Sequence, residues 1–129
     1  MSEMIYTVET KKSFDEAVAA VEKKTAEKSF RVLHTHDVTA TLAEKGFARE
    51  PLKIVEICNA RYASEVLQKD VRTAVMLPCP ISVYRVGERT FISTMRPTAM
   101  APMFPGADLE ALASEVEGKI IEIVNEAKG

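Results

Sequence analysis

Two cysteines, Cys58 and Cys79, are the side chains whose type and setting most readily carry chemistry in this 129-residue sequence. Cys58 ends the run Leu52-Lys53-Ile54-Val55-Glu56-Ile57-Cys58 and precedes Asn59, a plausible helix cap. A thiol at a helix N-terminus lies near unpaired amides, whose partial positive charge lowers its pKa and frees the thiolate. The same residue also suits a buried strand, because free cysteine packs as a small hydrophobe. Cys79 stands between Pro78 and Pro80, neither of which can donate to a ladder, so a stiff stretch of chain projects its side chain. That geometry fits a site or a bend at a sheet edge. No Cys-X-X-Cys is present, and a reversible dithiol requires the fold to bring the two Cα atoms within about 4.4 to 6.8 Å.

His34 and His36 are two apart on a predicted strand, which points both imidazoles to one face about 6.5 to 7 Å apart. Some metal sites use this spacing, but a third ligand from Asp37, Glu56 or Cys58 is not demanded by the sequence, and a solvated strand end is the preferred reading. No metal and no cofactor is expected. Met95, Met100, Met103 and Phe104 gather in or beside a proline-rich stretch and form a soft apolar surface that could close over a ligand or meet a second subunit. Ser82, Ser93 and Thr94 lack the elbow or neighbouring base of a nucleophile, and the five glycines make no phosphate loop.

The elements that must position these residues follow from periodicity and caps. Ile5 to Glu9 alternates as a strand. Ser13-Phe14-Asp15-Glu16 is a capping box, and Phe14, Ala17, Val18, Val21 and Thr25 predict an amphipathic helix over 14–28. Phe30 to His36 is a second strand with Phe30, Val32, His34 and His36 on one face. Asp37 caps a short helix through Ala43 that Gly46 ends in a left-handed conformation. Leu52 to Cys58 is a third strand, and Asn59 caps a helix over Ala60 to Lys69. Ala74 to Val86 is a fourth strand, interrupted around the two prolines, and joins Thr90 to Met95 through a hairpin at Gly87-Glu88-Arg89. Arg96 to Gly106 carries three prolines and is predicted as a loop, after which Asp108 caps a long C-terminal helix. The hairpin breaks any rhythm of parallel crossovers, so one α+β domain over 1–129 with a largely antiparallel or mixed sheet is expected.

With 17 Lys and Arg against 19 Asp and Glu, the charge is −2 and no basic stripe exists, so neither nucleic acid nor an anionic membrane is an expected partner. The start Met1-Ser2-Glu3-Met4 is not basic and no apolar run follows, which predicts a cytoplasmic chain.

Glu56-Ile57-Cys58-Asn59-Ala60, the segment Ala63 to Asp70, Leu77-Pro78-Cys79-Pro80-Ile81-Ser82-Val83-Tyr84, and Phe91 to Pro97 together resemble the domain of unknown function 302 family. The family pattern has Asn-Pro after the third strand, a helix, a Leu-Pro-Cys stretch, a hairpin and an Asp-Pro. Here Ala60 replaces the helix-starting proline and Arg96 the aspartate before Pro97, so nothing that relied on that carboxylate carries over. The resemblance implies a curved, mostly antiparallel sheet with helices on one side, similar to the TATA-binding-protein-like arrangement, often as a dimer, and no established reaction. The reading is therefore a homodimeric binding or accessory module without a complete catalytic site, its ligand region around Cys58, Asn59, Pro78 and Cys79. The alternative is a thiol-dependent redox or sulfur-transfer protein using both cysteines.

Overall fold

The structure, a computed structural model, describes residues 3–129. Met1 and Ser2, where the reading of the N-terminus begins, lie outside them. The chain forms β1 (Ile5–Thr10), α1 (Phe14–Glu27), β2 (Arg31–Asp37), α2 (Val38–Ala43), β3 (Leu52–Cys58) and α3 (Ala60–Lys69). It continues through a 3₁₀ turn (Val71–Met76), β4 (Cys79–Val86), β5 (Arg89–Met95), α4 (Pro97–Met100), a second 3₁₀ turn (Ala101–Met103) and α5 (Glu110–Lys128). The strands make one five-stranded sheet in the order β1-β5-β4-β3-β2, and every neighbouring pair is antiparallel. The α+β expectation holds, with the helices on one side. Among the described residues, no helix is long and apolar enough to cross a membrane.

Local signals explain much of this. The capping box is present, with the Glu16 amide donating to Ser13 Oγ at 3.2 Å and the Ser13 amide to Glu16 Oε1 at 3.0 Å. α1 leads from β1 at one sheet edge to β2 at the other. Its buried residues Ala17, Val18 and Val21 meet Val55, Ile57, Ile81, Val83 and Ile92 of the sheet and Ile120, Ile123 and Val124 of α5. Each such branched side chain contributes about 1.5–3 kcal/mol when fully buried. Val86 pairs with Arg89, so Gly87 and Glu88 form a two-residue turn, and Gly87 supplies its positive φ of 63°.

Four expectations need correction. A register shift between Val32 and His34 places Leu33 in a bulge, so Val32 packs on the core while His34 and His36 face the open side of the sheet; the four residues do not share one face. Residues 74–76, read as the start of the fourth strand, are not strand: they belong to the 3₁₀ turn Val71–Met76, and β4 begins at Cys79. The Asp70 carboxylate accepts from the Arg72 amide at 2.9 Å and Thr73 Oγ1 donates to the Asp70 carbonyl at 2.7 Å. This local bonding outcompetes the β preference of Val71 and Val75, which are left 72% and 80% exposed. The predicted loop after β5 contains α4 and the second 3₁₀ turn, because Pro97 and Pro102 sit at first-turn positions where no amide is needed. Asp108 does not cap α5. It adopts a left-handed φ of 57°, and Leu109, held in the core, precedes the helix with no side-chain cap.

Candidate functional site

β3 and β4 pair so that Ile57 lies opposite Cys79, which brings Cys58 and Cys79 to the same end of two adjacent strands. Both are free thiols and partly buried. Asn59 caps α3 as predicted, its Oδ1 accepting from the Tyr62 amide at 3.1 Å while its Nδ2 donates to the Ser29 carbonyl at 2.9 Å. One side chain thus fixes both the start of α3 and the turn that leads into β2.

Two small apolar cavities meet at this corner. The larger, about 80 Å³, lies between α3, α4 and α5 and is lined by Val66, Met76, Met100, Phe104, Val116 and Cys79 among others. The smaller, about 40 Å³, is bounded by Phe30, Cys58, Asn59 and Tyr62. Val66, Leu77, Cys79 and Val116 line both. Three of the four predicted site residues therefore border one site. Pro78 borders neither cavity; it joins Leu77 to Cys79 through a cis Leu77–Pro78 bond.

The electrostatics run opposite to the activated-thiol expectation. Burial pushes the Cys58 thiol up, and it pushes Cys79 up to about 11, with the nearby Cys58 adding to the effect. In the first turn of α3 the Tyr62 amide is already engaged, donating to Asn59 Oδ1. Both groups are protonated at neutral pH.

The histidines lie elsewhere. Their rings pack edge to face at 4.4 Å between centroids, and His36 Nε2 is 2.9 Å from Glu56 Oε1. Among the described residues, no group of three His, Cys, Asp or Glu is placed to hold a metal. Of the methionine cluster, Met100 reaches the larger cavity, Met103 is 60% exposed and Met95 lies at the end of β5. The contributions of Val66, Thr73, Ala113 and Val116 escaped the sequence reading, because Val66, Ala113 and Val116 belong to ordinary helical patterns, Thr73 lies in a turn with no signal of its own, and only packing makes them a wall.

A family model described as "Domain of unknown function DUF302" matches residues 6–127. The chain belongs to this family. It is similar over its whole length to the uncharacterized conserved protein DUF302 from Bacillus stearothermophilus, whose crystal structure superposes with a TM-score of 0.92 at 28% sequence identity, covering 98% of this chain and 99% of that one. No curated protein matches the sequence.

Proposed function

We propose that this chain is a small-molecule binding module that works as a homodimer and takes a small, uncharged, apolar group into the cavity beside Cys79. The observation that carries this reading is the chemistry of the larger cavity's wall. Its polar side chains are Thr73, whose hydroxyl is spent on the Asp70 carbonyl at 2.7 Å, and the protonated Cys79 thiol. Such a wall offers dispersion contacts and one weak donor, and it penalises a charge. At about 80 Å³ the space is roughly half that of an apolar cavity of ~150 Å³ that admits benzene, so it suits a short alkyl chain rather than a ring. At a ceiling of about 1.5 kcal/mol per heavy atom, a four-carbon chain binds no tighter than roughly tens of micromolar.

Methionines with ¹³C-labelled methyl groups, titrated with n-butane or xenon, test the reading directly. Met76 and Met100 resonances should shift saturably in the wild type and stay still in Ala113→Leu, which fills the cavity. Shifts that persist in the filled variant, or that never develop, sink it.

The dimer is supported by the face of the sheet opposite the helices, where Ile5 and Met95 are exposed as a register pair and Tyr84 stacks on Phe91 at 5.8 Å. The same face also carries the Thr7–Ser93 hydrogen bond and the Glu9–Arg89 pair, and an uncovered face that mixes apolar and polar side chains in this way suits self-association. Sedimentation of Ile5→Glu with Met95→Glu should give half the wild-type mass; a wild type already monomeric removes this part of the proposal. The thiol-redox alternative gains no support from two cysteines that burial holds protonated.

A further inference from the structure

The larger cavity is closed on one side by a piece of chain with little stability of its own. α4 has four residues and no side-chain cap of its own, and its first residue is Pro97, which has no amide to bond. So short a helix cannot stand alone. Ala101 and Phe104 anchor the far end of the stretch by burial against Leu109, Val66 and Ala113, while its first turn is held by a single carboxylate from another element. Glu117 of α5 accepts from the Thr98 amide at 3.0 Å and from Thr98 Oγ1 at 2.6 Å with one oxygen, and from Arg96 Nη1 at 3.3 Å with the other. Pro97, Met100, Ala101 and Phe104 of the same stretch line the cavity. Beyond them the chain passes through Gly106 and Asp108, both at positive φ (88° and 57°), before entering α5.

The clamp is imperfect at its Arg96 end. The guanidinium lies over the Tyr6 ring at 5.0 Å and reaches Glu117 through one long contact of 3.3 Å, its side chain still 26% exposed. The closed form is thus held by a few charge-assisted bonds at its first turn and by the burial of Ala101 and Phe104 at its far end.

We infer that residues 97–104 form a flap over the Cys79 cavity and that Glu117 is the latch that keeps it shut. Lifting the flap opens the wall made by Pro97, Met100 and Phe104 and leaves the sheet untouched. As a route for ligand entry, this rests on the binding reading above; as a conformational element, it stands on the Glu117 hydrogen bonds and the placement of the segment.

Backbone hydrogen exchange on the full chain tests it without a ligand. In Glu117→Ala, where alanine preserves α5, the amides of residues 98–101 should exchange at least tenfold faster than in the wild type. Thr98→Val, which removes only the hydroxyl bond, should give a several-fold increase at the same amides. Val55, Ile81 and Val83 should be unchanged in both. Unaltered flap amides in both variants, or acceleration that spreads into the sheet, overturns the latch. The exchange rate of n-butane at the Met100 methyl should rise in parallel with flap opening. A loosened flap with no butane contact in any variant overturns the binding reading and supports the latch.

Discussion

Cys79 gives the sharpest separation between a binding site and a thiol catalyst. Burial, reinforced by the neighbouring Cys58, places its pKa at about 11 against an ordinary 9.0. Two units correspond to about 2.7 kcal/mol of preference for the neutral thiol. At pH 7.5 the thiolate fraction is then roughly 3 in 10⁴ rather than 3 in 10², so alkylation by iodoacetamide should run about 100-fold slower in the native protein than in the unfolded chain from ionisation alone. The same shift sets a stability term. The folded pKa lies above the unfolded one, so the contribution is complete below pH 9 and is lost as pH rises from 9 towards 11, where the unfolded chain releases a proton that the native state retains. Urea unfolding of wild type against Cys79→Ser across this window should show the difference shrinking by up to about 2.7 kcal/mol. Native Cys79 that alkylates at the rate of a free thiol, or titrates below pH 9, refutes the reasoning and returns the redox alternative to the front.

Two further outcomes follow from single side chains. Asn59→Ala removes both the α3 cap and the tie to Ser29, and should lower stability by about 1–2 kcal/mol in urea, whereas Asn59→Asp keeps the cap and should lose less. The carboxylates of Glu9, Asp70 and Glu126 are held below their ordinary values by hydrogen bonds from Arg89, Arg72 and Lys28. Their contribution is present above the unfolded carboxylate range and disappears as pH falls through the folded values, and because Glu9 and Glu126 are exposed while the Asp70 side chain is mostly covered, added salt should flatten the Glu9 and Glu126 part of a pH-stability profile.

Elements whose signals are local were legible in the residues. The Ser13–Glu16 box, the Asn59 cap, the Gly46 terminus and the Gly87 turn each act within a few positions, and each is present in the structure. The resemblance in residues 50–100 carried the family and the α+β class with it. The sequence also singled out Cys58, Asn59 and Cys79, because their residue types and their places at strand ends are visible in one dimension.

Tertiary structure decided what depends on distant partners. The Val32–His34 bulge is set where β2 meets β3. The start of α5 is set by burial of Leu109 rather than by the capping ability of Asp108. The helical turns over 97–103 begin at prolines that need no amide partner, and Glu117, on another helix, supplies the acceptor for the Thr98 amide that no side-chain cap of their own provides. The sign of the cysteine shifts belongs to the same class, since a thiol's pKa answers to the hydrocarbon packed around it, and here that hydrocarbon comes from α3, α4 and α5 at once. Periodicity and caps report which face of an element is apolar; they hold no record of where several such faces fail to fill the space between them, and that unfilled space is the candidate site.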